Sequence, residues 1–168
     1  MSATPAPTPA LMHIACPRCG KLRDLPHRDW LSGANCNWCG GELHPLTPFE
    51  LNTAGYAAQV NHSDGMIVVH FAERNCTPCI FMDAVFEQAA RHRRDLRFAI
   101  CHVEDEAALV TQLRIRNAPT LVCFDRGREL ARISGTLSLG QLLDWLDRHQ
   151  YAGSVVPTSG NDVRHRRS

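Results

Sequence analysis

Six of the eight cysteines in this 168-residue chain fall into two constellations whose spacings point to different chemistries. Cys16-Pro17-Arg18-Cys19 and Cys36-Asn37-Trp38-Cys39 form a C-x2-C-x16-C-x2-C array. That is the spacing of a structural zinc site, because each short turn offers two thiolates to a tetrahedral ion. Gly20 and Gly40 follow the second cysteine of each pair, where a small residue lets backbone N–H groups turn toward sulfur. An iron centre of the rubredoxin type and two disulfides are the alternatives at this spacing. Cys76-Thr77-Pro78-Cys79 stands alone, between the apolar run 66–71 and a helical pattern, which is the place of a redox dithiol. A cysteine at a helix N-terminus faces free N–H groups and the positive end of the dipole, and both favour the attacking thiolate. Cys76 is therefore expected as nucleophile, with Arg74 adding positive potential, and Cys79, one turn further in, as the resolving thiol. Pro78 suits the first helical turn, where its missing N–H does no harm. A structural half-site is the alternative for this pair, but no matching pair remains for it. Cys101 and Cys123 lie in strand-like runs and are expected in the core.

These groups need a scaffold, and the chain carries one. Apolar content of 44% is that of a globular protein, and the net charge of +1 makes no electrostatic case for nucleic acid. Lys21, Arg23, His27 and Arg28 lie between the metal-type pairs, but Asp24, Asp29 and Glu42 dilute them into a solvated face. No run approaches the roughly 18 apolar residues of a membrane span. The first ten residues have neither a basic n-region nor an apolar h-region, so a reducing cytoplasm is the expected compartment. Residues 1–10 read as a flexible tail and 11–45 as a zinc-ribbon module too poor in aliphatics to fold without its metal. Residues 46–150 read as an α/β domain, and 151–168, ending in Arg164-His165-Arg166-Arg167, as a flexible basic tail. Within the domain the apolar run 66–71 predicts a central strand covered on both faces. Met82, Val85, Phe86, Ala89 and Ala90 mark one helix face. Residues 96–102 read as a strand and 105–114 as a helix. Residues 120–124 and 129–133 form a hairpin across Asp125-Arg126-Gly127. Ser138 and Gln141 have capping-box spacing and open a last helix.

The stretches Val68-Val69-His70-Phe71-Ala72, Asn75-Cys76-Thr77-Pro78-Cys79 and Ile115-Arg116-Asn117-Ala118-Pro119-Thr120, with Gly135, resemble thioredoxins. With the four N-terminal cysteines added, the chain is similar to the zinc-carrying bacterial thioredoxin-2 class over roughly residues 14–150. The resemblance implies the thioredoxin fold, a mixed five-stranded sheet flanked by four helices, here with a small N-terminal zinc ribbon. It also implies dithiol–disulfide exchange at the start of the second helix and a cis bond before Pro119. Asn75, Thr77, Pro78, Ala118 and Pro119 take the places of the family's substrate-positioning residues. The pattern is broken in places: Asn75 stands for the usual Trp, Thr77 for Gly, His70 for a buried Asp, and Ile100 for the Lys that accompanies it. The paired loss of Asp and Lys strands neither partner. Two readings stand for His70, a hydrogen-bonded core histidine and a proton shuttle beneath the dithiol.

The expected activity is reduction of disulfides in client proteins through Cys76 and Cys79, by a monomer holding structural Zn(2+). An NADPH-dependent thioredoxin reductase is the partner that the resemblance implies. The alternative is an interaction module of ribbon and scaffold with little turnover, which the changes at Asn75, His70 and Ile100 keep open.

Overall fold

A computed structural model describes residues 10–153, and the expected tails fall outside these residues except where the last helix runs on to Gly153. Two short strands, β1 (Leu11–Ala15) and β2 (Leu22–Pro26), pair antiparallel and lead into α1 (His27–Leu31). The main sheet follows. It contains β3 (Phe49–Glu50), β4 (Met66–Ala72), β5 (Arg97–His102), β6 (Thr120–Asp125) and β7 (Arg128–Ser134), in the order β3-β5-β4-β6-β7. β3, β5 and β4 run parallel, while β6 and β7 are antiparallel to their neighbours. α2 (Thr53–Tyr56) continues as a π-turn over Ala57–Asn61, and α3 (Thr77–His92), α4 (Ala107–Gln112) and α5 (Leu139–Gly153) complete the layers. This is the mixed five-stranded sheet with four flanking helices that the resemblance implies.

β4 is buried at every position, as its β-branched run and central place require. Its alternation sends Met66 and Val68 toward Met82, Phe86, Leu142 and Leu146 of α3 and α5. Ile67, Val69 and Phe71 face Tyr56, Val60, Leu109 and Ile115 on the other side. The capping box forms: Gln141 N–H donates to Ser138 Oγ at 3.2 Å, and Ser138 N–H donates to Gln141 Oε1 at 2.9 Å. α4 is shorter than the expected 105–114, because Asp105 is drawn to Arg74 and Arg114 turns left-handed at φ 54°. In the β6–β7 turn Arg126 and Gly127 both have positive φ, and a Cβ on Gly127 would meet Asn61 Oδ1 at 2.7 Å.

The N-terminal segment builds a small cluster and docks it on the sheet domain. Ile14, Leu25, Trp30 and Leu43 pack with Cys16 and Cys36 into a small core of its own. That core is tied to the sheet domain throughout. His13 and Asp64 exchange hydrogen bonds of 2.8 and 2.7 Å, Ala15 N–H reaches Ser63 Oγ, and Gln59 Nε2 donates to Cys16 O. Arg94 donates to the carbonyls of His44 and Pro45. Arg97, nearly fully buried, donates to Gln59 O and Gly65 O, satisfying a carbonyl of the π-turn. His44 stacks on Trp30 with ring centroids 4.0 Å apart, and its Nε2 donates to Leu96 O at 3.2 Å.

Two buried histidines are expected to make this fold acid-sensitive. Burial, then the charge of Arg94, pushes His44 down to about 4, and burial, then His102, does the same for His70. Both folded values lie below the ordinary value of about 6.5, so the unfolded chain binds more protons between them. Stability is complete above pH ~6.5, falls through the window down to pH ~4, and each histidine contributes on the order of 3 kcal/mol to the loss. Urea midpoints are expected to be flat from pH 7 to 8 and to drop steeply below 6, with a shallower drop in His44→Gln. A midpoint unchanged between pH 7 and 4.5 would refute this.

Candidate functional site: a helix-capping disulfide and a four-cysteine cluster

Cys76 is the N-cap of α3, with extended backbone (φ −115°, ψ 111°), and its Sγ accepts the N–H of Cys79 at 3.2 Å. It forms a disulfide with Cys79, their Cα atoms 5.1 Å apart. The two sulfurs differ in access: Cys76 is half-buried, whereas Cys79 is fully enclosed and accepts the Glu73 N–H at 3.5 Å. Pro78 lies in the first turn of α3, and Asn75 and Thr77 are exposed beside it. The Ala118–Pro119 bond is cis, and Ala118 O lies 3.9 Å from Cys76 Sγ. Of the expected positioning residues, Asn75, Thr77 and Pro78 thus flank the pair in sequence and Ala118 reaches Cys76 from across the cis bond.

Arg74 does not play its expected part. Its guanidinium pairs with Asp105, and its N–H donates to Glu104 Oε1 at 2.6 Å. The Arg74 N–H holds Glu104, and the Arg74 guanidinium holds Asp105, below the usual carboxylate range, so both stay charged. The N–H donor at Cys76 Sγ is thus a backbone one, that of Cys79 in the first turn of α3.

The N-terminal cysteines converge. Cys16, Cys19, Cys36 and Cys39 place their sulfurs within 4.8 Å of one another, with Cys16–Cys39 and Cys19–Cys36 at 3.6 Å. None of these pairs is a disulfide. Four sulfurs bound tetrahedrally at about 2.3 Å sit about 3.8 Å apart, so the cluster fits a metal of that geometry. Both knuckles fold alike: Gly20 N–H returns to Cys16 O and Gly40 N–H to Cys36 O, with φ +73° and +74° at the glycines. As bare thiols the four are unequal, since burial pushes Cys16 up to about 12 while the Cys39 N–H pulls Cys36 down to about 6.

Comparison with known proteins decides the family. The family described as Thioredoxin matches residues 47–148. Thioredoxin C-3 of Corynebacterium nephridii is 33% identical over 137 residues, 82% of this chain and 94% of that protein. The chain belongs to the thioredoxin family. A thioredoxin-like protein of Synechocystis is 30% identical over 94 residues, 55% of this chain and 90% of its own length. A mutant thioredoxin from Halobacterium salinarum has the same fold, with a TM-score of 0.58 at 23% identity, covering 63% of this chain and 93% of that one. The 137 residues shared with the Corynebacterium thioredoxin outnumber the 122 that follow residue 46, so that similarity reaches the cysteine-rich segment. This thioredoxin is a thiol–disulfide oxidoreductase, and thioredoxins act on disulfide-containing substrates.

Three features of this thioredoxin's site were not foreseen. Ile80 and Phe81, just past Cys79, are 59% and 53% exposed, an apolar surface beside the disulfide where Asn75 offers none. A groove of about 320 Å³ borders Glu73, Glu104, Ile115, Asn117 and Ala118, next to the cis bond. His70 sits opposite Ile100 in the parallel β4–β5 register, the two positions at which both family charges are missing. The third feature is its neighbour: Nδ1 of His70 lies 3.2 Å from Oδ1 of Asp83 on α3. Cys101 and Cys123 are fully buried, and burial raises each to about 12, as expected of core thiols.

Proposed function

We propose that this thioredoxin reduces disulfides of client proteins through Cys76 and Cys79, while Cys16, Cys19, Cys36 and Cys39 hold a structural zinc ion. The observation that carries the reading is the asymmetric pair: a half-buried helix-capping sulfur joined to an enclosed one. The Cys76 thiolate attacks a client disulfide, forming a mixed disulfide and releasing one client sulfur. Cys79 then attacks Cys76 Sγ, the client leaves reduced, and the Cys76–Cys79 bond closes. Thr77, Pro78, Ala118 and Pro119 line the approach, with Asn75 at its edge. Ile80 and Phe81 supply the apolar contact for an extended client segment that Asn75 does not. A zinc ion there would be held by Cys16, Cys19, Cys36 and Cys39 and would supply folding energy to the N-terminal segment rather than take part in exchange. The chain acts as a monomer, and an NADPH-dependent thioredoxin reductase restores the dithiol.

His70 takes the proton of Cys79 during resolution. It faces α3 from beneath, stays neutral at pH 7, and leaves Nε2 buried without a partner. General-base help of this kind is worth about 10²–10⁴ in rate. Stopped-flow kinetics of mixed-disulfide collapse are expected to slow at least about 10²-fold in His70→Ala, with the first attack by Cys76 unchanged. A wild-type collapse rate would return His70 to the core.

The test of the whole reading is insulin reduction, first with dithiothreitol and then with reductase and NADPH. Turnover with both supports the full cycle. Turnover with dithiothreitol alone separates the chemistry from reductase docking at Asn75. No turnover with either defeats the assignment and leaves an interaction module.

A further inference from the structure

Asp83 lies one helical turn beyond Cys79 on α3, and residues four apart on a helix share a face. Phe86, a turn further on, brings its ring to 5.4 Å from that of His70. His70 thus lies beneath the stretch of α3 that carries Cys79, Asp83 and Phe86. The imidazole is fully buried, whereas the Asp83 side chain is 45% exposed. Nδ1 and Oδ1 face each other at 3.2 Å, off the line of a hydrogen bond, and Nδ1, Nε2 and Oδ1 are all enclosed without a partner. Interiors rarely leave polar atoms in this condition. The three atoms run from a fully buried ring to a side chain at the surface, on the stretch of α3 that begins at Cys79.

We propose that Asp83 is a positioning residue for the redox reaction: it orients His70 toward Cys79 and relays protons between the buried ring and solvent. This rests on the reading of Cys76 and Cys79 as the redox pair and His70 as proton acceptor. During resolution the Cys79 S–H proton passes to Nε2 of His70, and its electron pair stays on sulfur. The thiolate attacks Cys76 Sγ. The bond from Cys76 to the client breaks, and its electron pair leaves on the client sulfur, which takes a proton from water. The imidazolium, stabilised by the Asp83 carboxylate, releases its Nδ1 proton through Asp83 to solvent. When the reductase cleaves Cys76–Cys79, the Cys79 sulfur recovers the Nε2 proton and Nδ1 is reprotonated through Asp83. The ring then stands as it began. Cys79 and Asp83 on α3 and His102 at the end of β5 are the titratable groups that bear on the ring, with His102 itself 3.6 Å from Glu50. Its strand neighbours Ile100 and Leu121 carry no charge.

The experiment follows thionitrobenzoate release from Ellman's reagent by the fully reduced protein in single turnovers from pH 5 to 9. The first release reports attack by Cys76 and the second reports collapse by Cys79. In Asp83→Asn the second release is expected to slow at least about tenfold at pH 7 with an altered pH profile, while the first is unchanged. Asp83→Glu is expected to recover part of the rate, and His70→Ala/Asp83→Asn to be no slower than His70→Ala. A normal second release in Asp83→Asn, with His70→Ala slow, overturns the role of Asp83 alone. A normal release in His70→Ala overturns the reading beneath it. Equal slowing by Asp83→Asn with and without His70 makes Asp83 merely structural and overturns the proposal. Should Asp83→Asn not fold, ring nitrogen shifts of the reduced wild-type protein decide: protonation at Nδ1 is expected, and protonation at Nε2 overturns it.

Discussion

Cys76→Ser is expected to reduce no disulfide above the background of the reductant, and Cys79→Ser to accumulate as a covalent complex with its client. The two substitutions remove one sulfur each, yet they stop the cycle at different places. Serine at position 76 leaves no group that ionises near neutral pH, so the first bond never forms. Serine at position 79 leaves the exposed attack intact but removes the thiol that breaks the mixed disulfide. The geometry sets the order. Only Cys76 is accessible, and its sulfur accepts the Cys79 N–H at the positive end of a 16-residue helix. With Arg74 held by Asp105, that backbone N–H is the donor that favours a thiolate there. In the reduced, metal-loaded protein, Cys76 is expected to be alkylated first at pH 7. Cys101 and Cys123, raised to about 12, are thiolate in only about one part in 10⁵ there. Mass spectrometry finding Cys101 or Cys79 labelled before Cys76 would reverse the roles.

What could be read in the sequence follows from how local each feature is. The strand at 66–71, the α3 face and the Ser138 box are periodic or short-range, and each forms where its pattern lies. The four-cysteine cluster was legible too, since two knuckles of identical spacing fold identically. The cis Ala118–Pro119 bond was legible only through family resemblance, because X-Pro merely permits it. Features set by distant chain segments were not legible. Nothing local in the strand at 96–102 marks Arg97, which is buried because the π-turn at Gln59, far back in sequence, presents it a carbonyl. Arg74 looked like a free cation until the chain returned Asp105 to its side. Asp83 carries no local signal in the sequence, and only the packing of α3 on β4 brings it to His70. An apolar moment locates a helix face but does not say which polar residue stands at its edge over a buried partner.

Cys36→Ala is expected to lose stoichiometric zinc and the fold of the N-terminal segment, with a smaller effect on the sheet domain. Structural zinc contributes about 10–16 kcal/mol in zinc-finger peptides, comparable to the whole stability of an ordinary domain. The segment's own core of Ile14, Leu25, Trp30 and Leu43 is too small to replace that. The sheet domain keeps both of its clusters without the ribbon, so its unfolding transition survives. It does not survive unchanged, because the segment is not free-standing. Loss of order removes Gln59 from Cys16 O, His44 from Leu96 O, and Asp64 from His13, so the π-turn and the start of β5 loosen with it. Hydrogen exchange should therefore show complete loss of protection in β1 and β2, partial loss around residues 57–65 and 94–97, and none in α3. The redox pair lies outside that affected zone, and insulin reduction is expected to persist in the variant. Two results would sink the assignment: wild-type protein purified without chelators that carries no zinc on elemental analysis, or a variant whose β1 and β2 amides stay protected. Loss of protection that instead spread through α3 would mean that the ribbon is a folding requirement for the redox domain rather than a clip docked upon it.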